Sequence, residues 1–349
     1  MRTPLADFHT TRGAVFDASS GTALLVSYGD FEAGYEAMEE GCALFDLCER
    51  DVLRLTGIDA AKLLQGLTTN DVAALEPLGG LHACFLSRQS KILADARIFA
   101  LPGGILLDLE PGLGPKVEER LIKYRVGMRV DIGGDRERTL LSLQGPKAPD
   151  LIRDLTGVEP AALADFGCAE GTFEGVTVLV CRVPRTGRPG FDVRLEPSSA
   201  EAFWLACLGA GAVAAGGDVM DTGRVEAGIP VYGRDLHEGV LFSEADLPGS
   251  VSHTKGCYVG QEIVARVKTY GNIKRVRRGL LVDGPAAAGD RILTGGPQAP
   301  LLTSARRSPT LKRSAAFAYL SPGLETGMEV AVESSRGAMT AQVVDLPFM

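Results

Sequence analysis

One cysteine lies in a sequence that favours chemistry at its thiol. Cys257 stands between two glycines in the string Lys255-Gly-Cys-Tyr-Val-Gly-Gln-Glu262. Apolar residues follow it at helical spacing, so a helix is predicted to begin near Gly260. The N–H groups at that helix start, together with Lys255, would favour the thiolate form. The pattern indicates a reactive or metal-accepting thiolate, with an incidental loop cysteine as the alternative.

Two carboxylates interrupt apolar stretches. Asp95 lies within Leu93-Ala-Asp-Ala-Arg-Ile-Phe99 and would share one face of a strand with Leu93 and Arg97. That pattern favours a solvated acid paired with Arg97, and the alternative is an acid that binds a cationic or N–H-bearing ligand. Glu226 lies just before a predicted turn. Because a buried carboxylate must be hydrogen-bonded, Glu226 either caps a helix or turn, or binds a flat heterocycle through two adjacent N–H donors.

A basic run follows the cysteine motif in a chain that is acidic as a whole. A solvated charged face is the usual explanation for such a run. The alternative is a landing site for a polyanion, such as a polycarboxylate tail or an acidic partner. RNA ranks lower, because Tyr270 is the single aromatic residue within the run. The run consists of Arg266, Lys268, Lys274, Arg275, Arg277 and Arg278.

Composition excludes several classes of protein. The 349 residues carry a formal net charge of −8 and 45% hydrophobic residues, which is typical of a globular chain of two or three domains. No apolar stretch is long enough for a membrane helix, and the first residues show no apolar export signal. Seven cysteines without C-x-x-C spacing argue against disulfides and structural zinc. We therefore expect a cytoplasmic protein without a membrane or a direct nucleic-acid partner.

The elements that must position these residues are short and mixed. Helical spacing predicts helices over residues 31–40, 59–65, 115–126 and 201–208. Strand-like runs cover residues 52–55, 92–99, 104–109, 139–143 and 176–180. From residue 279 onward we find strand runs and no convincing helix, which predicts a small all-β module. Because helices and strands alternate without a strict β-α-β order, the predicted fold class is α+β.

The cysteine motif closely resembles the K-G-C-Y-x-G-Q-E signature of the YgfZ-type folate-binding proteins, which are similar to mitochondrial iron–sulfur assembly factors. Further strings resemble the wider superfamily that includes the glycine-cleavage T-protein. The resemblance extends over almost the whole chain. These strings are Ala43-Leu-Phe-Asp46, Leu64-Gln-Gly-Leu-Thr-Thr-Asn-Asp71, Leu143-Gln-Gly-Pro-Lys-Ala148, Thr186-Gly-Arg-Pro-Gly-Phe-Asp192 and Arg224-Val-Glu-Ala-Gly-Ile-Pro230.

The resemblance implies a three-lobed, T-protein-like ring with a C-terminal β-barrel module. Its lobes would be a discontinuous folate-binding lobe (1–48 and 139–275), an inserted α+β lobe (49–138) and the barrel-like module (276–349). Tetrahydrofolate, with or without a polyglutamate tail, would bind in the central opening. Asp95 matches the second acid of the T-protein's paired acidic motif, while Ala94 replaces the first. Gln261 stands where the T-protein usually has a basic residue.

The residue roles implied by the resemblance fall into two groups. The catalytic candidates are Cys257, Lys255 and Asp95. The folate-binding candidates are Asp95, Glu226, Tyr258, Gln261, Glu262 and Arg266. No resident metal is expected, although Cys257 is a candidate for a transient iron ligand. A lone thiolate cannot hold a cluster by itself, so a partner would have to supply the other ligands.

Cys257, gained relative to the T-protein pattern, favours one of two functions. The first expectation is a tetrahydrofolate-binding factor that assists assembly or repair of [4Fe–4S] clusters through Cys257, and so supports iron–sulfur enzymes that modify tRNA. Its partners would be iron–sulfur assembly or client proteins. The alternative is a folate-dependent one-carbon transferase, for aminomethyl or methyl groups, or a demethylase. Whether the chain is an enzyme is left open between these two.

Overall fold

The structure, a computed structural model, describes residues 3–17, 24–134, 139–271, 273–294, 299–335 and 337–349. Helices and strands are mixed as expected, which confirms the α+β class. The helices are α1 (Ala6–Thr10), α2 (Phe31–Glu40), α3 (Ala60–Leu67), α4 (Gly114–Tyr124), α5 (Ala148–Thr156), α6 (Pro197–Gly209), α7 (Gly217–Glu226), α8 (Phe242–Ala245) and α9 (Gln261–Tyr270).

The strands form one two-stranded hairpin and three larger sheets. They are β1 (Ala14–Asp17), β2 (Leu24–Tyr28), β3 (Ala43–Asp46), β4 (Asp51–Thr56), β5 (Gly80–Leu86), β6 (Ile92–Leu101), β7 (Gly104–Leu109), β8 (Asp131–Gly134), β9 (Thr139–Gln144), β10 (Cys168–Phe173), β11 (Val176–Arg182), β12 (Gly190–Leu195), β13 (Val213–Ala214), β14 (Val276–Val282), β15 (Arg291–Leu293), β16 (Leu302–Arg307), β17 (Ser314–Leu320), β18 (Glu329–Ser334) and β19 (Gly337–Val344).

The five-stranded sheet has the order β5-β6-β7-β4-β8 and antiparallel pairs throughout. Ala94, Ala96 and Ile98 alternate along β6 and are buried in one core with residues of α3 and α4, such as Leu64 and Val117. Side chains in a strand point alternately to opposite faces. The opposite face of β6 therefore carries the polar residues of this strand, and the folded sheet places them away from the α3 and α4 core.

The second large sheet has the order β10-β11-β12-β9-β3-β13, in which β13 pairs with β3 in parallel. Its core is formed with α5 and α6 and includes the fully buried Phe203 and Trp204. The string Leu208-Gly-Ala-Gly-Ala-Val-Ala214 has the G-x-G-x-x-A pattern of some dinucleotide-binding turns. It does not form such a turn, because α6 precedes its glycines and only the two-residue β13 follows.

The C-terminal sheet has the order β15-β18-β19-β14-β17-β16, and all its pairs are antiparallel. Strand β14 is central, since it pairs with β17 on one side and β19 on the other. Leu280, Phe317 and Val343 are fully buried. No helix occurs in the described part of residues 279–349, in agreement with the predicted all-β module.

The three large sheets draw on separate stretches of the chain. Residues 51–134 form the five-stranded sheet, while residues on both sides of that stretch form the second sheet, and residues 276–344 form the third. The exact lobe boundaries stay a prediction, and the one placed at residue 138 adjoins 135–138, which lie outside the described residues. Across the ranges that the structure describes, no helix has the length and apolar character to cross a membrane.

Candidate functional site

Asp95 lies on the polar face of the five-stranded sheet, which we define by His82, Asp95, Arg97 and Asp108. The register of β5, β6 and β7 places His82 opposite Arg97 and Arg97 opposite Asp108. Only 8% of Asp95 is exposed. The prediction that Asp95 is a solvated acid paired with Arg97 is therefore wrong, because the packed sheet removes the carboxylate from water and gives it a different partner.

That partner is His82, which sequence reasoning missed. His82 Nε2 lies 2.9 Å from Asp95 Oδ2, and the other ring nitrogen, Nδ1, lies 2.5 Å from the hydroxyl oxygen of Ser250. An ionised carboxylate only accepts hydrogen bonds, so Nε2 carries the proton in this pair. The three side chains thus form a connected series from Ser250 through His82 to Asp95, and Ser250 is also buried.

The second oxygen of Asp95 has no such partner. Oδ1 is buried and lacks a hydrogen bond from any residue that the structure describes. Burial raises the pKa of Asp95, but the hydrogen bond and charge of His82 and the charges of Arg97 and Arg50 outweigh it and lower the pKa below its ordinary value. At neutral pH the group is therefore a carboxylate with one oxygen that receives no hydrogen bond from a described residue. A buried acceptor without a donor is costly, so Oδ1 calls for a water or a ligand donor.

Ser250 lies in the loop of residues 249–255, which carries the start of the cysteine motif. A second loop, residues 68–71, follows α3 and holds the first loop in place by hydrogen bonds. Thr69 Oγ1 donates to the carbonyl of Ser250 at 2.5 Å, and Asn70 Nδ2 donates to the carbonyl of Gly249 at 3.1 Å. Asn70 Nδ2 also donates to the carbonyl of His82 at 2.9 Å. The T-N-D part of the string at residues 64–71 therefore connects the cysteine segment to the polar face.

Lys255, a predicted catalytic residue, joins the same two loops. Its Nζ donates to the backbone carbonyls of Thr68 at 2.8 Å and Asn70 at 2.6 Å. Burial lowers the pKa of Lys255 to about 8, although Asp71 acts in the opposite direction. These contacts show a lysine that stabilises the loop pair. Its catalytic role stays a prediction.

Cys257 lies where the sequence predicts it, in the loop just ahead of α9. The helix begins at Gln261, after Gly260 at φ 89°, and a Cβ at Gly260 would lie 2.6 Å from the Ser87 carbonyl oxygen. Glycine is therefore required at this turn. The Cys257 side chain is exposed rather than packed among apolar residues. The position is compatible with a reactive thiol, and the catalytic role stays a prediction.

The remaining motif residues contact an apolar cluster or other residues of their own segment. Tyr258 is 8% exposed and belongs to an apolar cluster with Leu86 and Ile92. Gln261 Oε1 accepts a hydrogen bond from the Tyr258 N–H at 3.3 Å. Glu262 and Arg266 form an ion pair of 2.7 Å on the exposed side of α9, with side chains 82% and 64% exposed. No contact among the described residues joins these four to Asp95, and their folate-binding roles stay predictions.

Glu226 has a different environment from Asp95. It is fully buried, and its two oxygens are occupied, since Tyr35 Oη donates to one at 2.7 Å and Arg188 Nη2 donates to the other at 2.8 Å. Arg188 also pairs with Glu39. The hydrogen-bond partners of Glu226 and Asp95 have no residue in common. Each of these oxygens could accept a second hydrogen bond, but the side chain is fully buried, and pterin binding by Glu226 stays a prediction.

Two residues of the basic run, Arg275 and Arg277, serve the fold. Arg277 is buried and donates to the carbonyls of Ala245 and Gly228, both at 2.9 Å. Arg275 pairs with Glu244 at 3.1 Å. The solvated-face explanation is thus wrong for Arg277, because its guanidinium satisfies backbone carbonyls at the junction with the C-terminal sheet.

A second cluster of charged residues, which the sequence analysis did not predict, surrounds Asp108. This carboxylate is fully buried, and Arg50 Nε and Arg185 Nη2 donate to it at 2.5 and 2.7 Å. Burial raises its pKa, but the surrounding guanidinium groups lower it far below its ordinary value. Arg97 lies 3.7 Å from Asp108, and its pKa is lowered to about 10 by burial and by neighbouring arginines. These charges connect the five-stranded sheet to the second sheet.

The folded chain is an α+β protein with a buried acid on a central antiparallel sheet and a separate C-terminal barrel-like sheet. Residues 5–255 match the GCVT N-terminal domain, and residues 275–349 match the glycine cleavage T-protein C-terminal barrel domain. The chain belongs to the glycine-cleavage T-protein family.

Curated relatives and a solved structure agree with this assignment. Proteins named aminomethyltransferase from Rubrobacter xylanophilus and Moorella thermoacetica are 31% and 30% identical, and the alignments cover 99% of this chain and 94% and 97% of those proteins. The glycine cleavage system aminomethyltransferase T from Bartonella henselae superposes with a TM-score of 0.91 at 23% identity, covering 100% of this chain and 98% of that one. The T-protein-like fold is confirmed.

The comparisons correct the first functional expectation. Iron–sulfur cluster assembly was inferred from one gained cysteine, whereas the relatives that align from end to end are named aminomethyltransferases. The expectation is wrong, because an eight-residue motif carries less information about function than similarity along the whole chain. In the ranges that the structure describes, no group of three histidine, cysteine or acidic residues is arranged to hold a metal ion. The predicted iron–sulfur partners are untested.

Proposed function

We propose that this protein transfers an aminomethyl group to tetrahydrofolate. The observation that carries the proposal is the buried Oδ1 of Asp95, which has no donor among the described residues. Asp95 also matches the second acid of the T-protein's paired motif. The aminomethyltransferase relatives, similar over almost the whole chain, support the same reaction class.

The charges around Asp95 fit this chemistry. An aminomethyl group is cationic when protonated, and a carboxylate with restricted access to water stabilises such a charge more strongly than water-exposed groups do. His82 occupies Oδ2, so Oδ1 remains for the N–H of an amine. Tetrahydrofolate, when bound, supplies the amine nitrogens that take up the carbon. Asp95 would then orient and stabilise the cationic group beside those nitrogens.

The overall reaction balances without an oxidant or a metal ion. An S-aminomethyl thiol in its ammonium form reacts with tetrahydrofolate to give the free thiol, ammonium and 5,10-methylenetetrahydrofolate. The two N–H protons of tetrahydrofolate are transferred to the thiol and to ammonia. No change in oxidation state occurs, so the protein has to supply binding, orientation and electrostatic stabilisation.

A direct assay tests the proposal. Purified protein is incubated with tetrahydrofolate and an S-aminomethyl thiol, and ammonium and methylenetetrahydrofolate are measured together. We expect equal amounts of both products, and none when either substrate is left out. Release of formaldehyde from an N-methylated amine, without turnover of the aminomethyl thiol, would instead support the demethylase alternative. No turnover with either donor, combined with no folate binding, contradicts folate-dependent chemistry altogether.

Finer features belong to the same proposal. We infer from the Lys255–Glu262 string that the chain lies in the YgfZ-type branch of its family. The catalytic role of Cys257 is tested with Cys257→Ala in the same assay, where a loss of at least tenfold would support it and an unchanged rate would contradict it.

Comparing mono- and polyglutamylated tetrahydrofolate tests the predicted preference for a longer tail. All seven cysteines are free, which supports a cytoplasmic location.

A further inference from the structure

We propose that His82, held by Ser250, is a positioning residue that fixes the Asp95 carboxylate through Oδ2, so that Oδ1 is presented to the N–H of the amine. This inference rests on the proposed function, which requires Asp95 to receive an amine. It assigns new roles to His82 and Ser250. It also assigns the amine contact to Oδ1, the oxygen to which no described residue donates.

The first step is the orientation of the carboxylate. His82 Nε2 lies 2.9 Å from Oδ2, at the length of a charge-assisted hydrogen bond. That bond fixes the rotation of the carboxylate group and leaves Oδ1 without a donor from any described residue. A primary ammonium or a ring N–H would satisfy Oδ1.

The second step is the fixed orientation of the imidazole. Ser250 Oγ lies 2.5 Å from Nδ1, so both ring nitrogens are engaged and the ring is held at two points. Ser250 itself is 4% exposed, and Thr69 holds its carbonyl at 2.5 Å. A side chain with locked neighbours keeps a reacting group in place better than an isolated one does. Ser250 therefore fixes the orientation of the His82 ring, and the ring fixes the orientation of the Asp95 carboxylate.

The third step concerns the charges that face Asp95. They are the imidazole of His82 and the thiol of Cys84 from β5, Arg97 from the same strand, and Arg50 from the turn before β4. Burial raises the pKa of the Cys84 thiol well above its ordinary value, so this group stays neutral. Of the remaining groups, His82 is the one in direct contact with Asp95. Removal of the His82 imidazole should therefore raise the pH at which the Asp95 carboxylate ionises.

The test combines kinetics with a spectroscopic measurement. The variants are His82→Ala, the conservative His82→Gln, and Ser250→Ala, with the exposed His237→Gln as a matched control. We expect kcat to fall at least tenfold in His82→Ala, with a smaller change in KM, and to recover in part in His82→Gln, whose amide still donates to Asp95. The acid limb of the pH profile should move to higher pH in His82→Ala and Ser250→Ala, and stay in place in His237→Gln.

Nitrogen-15 NMR of the histidine rings gives a readout that needs no turnover. The resonances of His82 are identified by their loss in His82→Gln. We expect a proton fixed on Nε2 in the free protein and a changed ring signal in Ser250→Ala. A ring that exchanges freely between tautomers would overturn the inference, even if the wild type is active. An active, folded His82→Ala with an unmoved acid limb would also overturn it, while leaving the proposed function intact.

Discussion

Asp95 and Glu226 are both buried acids in apolar surroundings, and both were predicted to bind folate. Glu226 is the more deeply buried, and its two oxygens are taken by Tyr35 and Arg188. Asp95 has His82 on one oxygen and no donor from the described residues on the other. The comparison shows that burial alone does not mark a binding carboxylate. What distinguishes the candidate site from a structural ion pair is an oxygen, Oδ1, to which no described residue donates.

The largest expected effect is on catalysis at Asp95. Asp95→Asn removes the negative charge that faces the cationic group, so we expect the rate of aminomethyl transfer to fall by about 100-fold or more. The exposed Asp165→Asn is the control and should keep the wild-type rate. Product formation by both variants is measured at saturating folate. A fully active Asp95→Asn would place the chemistry elsewhere.

The complementary effect is on stability at Glu226. Glu226→Ala removes one acceptor from the half-buried Arg188, which keeps Glu39, and one from the buried Tyr35. We therefore expect the free energy of unfolding to fall by about 2 kcal/mol. Urea unfolding measures this difference. If the same variant also binds tetrahydrofolate more weakly by roughly 1–3 kcal/mol, the predicted pterin contact gains support. Unchanged affinity in the folded variant contradicts that contact.

A smaller effect concerns Lys255, which contacts the loops that hold Ser250. Its pKa is lowered from 10.5 to about 8, because burial disfavours the cation. The unfolded chain therefore binds more protons than the folded chain between these two values, and stability should increase as pH rises from about 8 to 10.5. We expect this increase, on the order of 1 kcal/mol after screening by solvent, to disappear in Lys255→Met. Urea unfolding of both proteins at pH 7.5 and 9.5 measures it.

The smallest effect is expected at the exposed pair on α9. Glu262→Gln with Arg266→Gln should change the free energy of unfolding by less than about 0.5 kcal/mol, since both side chains reach solvent. Equilibrium binding of tetrahydrofolate to the double variant tests the predicted folate contacts. Weaker binding at unchanged stability would support them, and equal binding would show that this pair is a surface feature.

The sequence alone was sufficient for the type and place of several elements. The predicted helix at residues 31–40 and the strand at 104–109 coincide with α2 and β7, and the all-β C-terminal region agrees with the third sheet. The start of α9 at Gln261 places Cys257 in the expected loop. These successes share a physical cause. Helical and strand periodicity, helix-starting prolines and turn glycines act between residues close in the chain, and the sequence displays those relations directly.

The family also followed from local strings, whereas the function within it did not. The Lys255–Glu262 motif led to an iron–sulfur expectation that similarity along the whole chain overturns. A motif reports the residues of one loop. The chemistry of a site depends on which other residues the fold brings to it.

Only the tertiary structure decided how the acids are paired. Ser250 meets His82 across 168 residues of sequence, and Tyr35 meets Glu226 across 191. No periodicity connects residues at such distances, because their contact depends on strand register and on how loops pack on a sheet. Sequence by itself therefore determined that buried carboxylates exist in this protein. Packing determined that Glu226 is satisfied by protein donors and that no described residue donates to Oδ1 of Asp95.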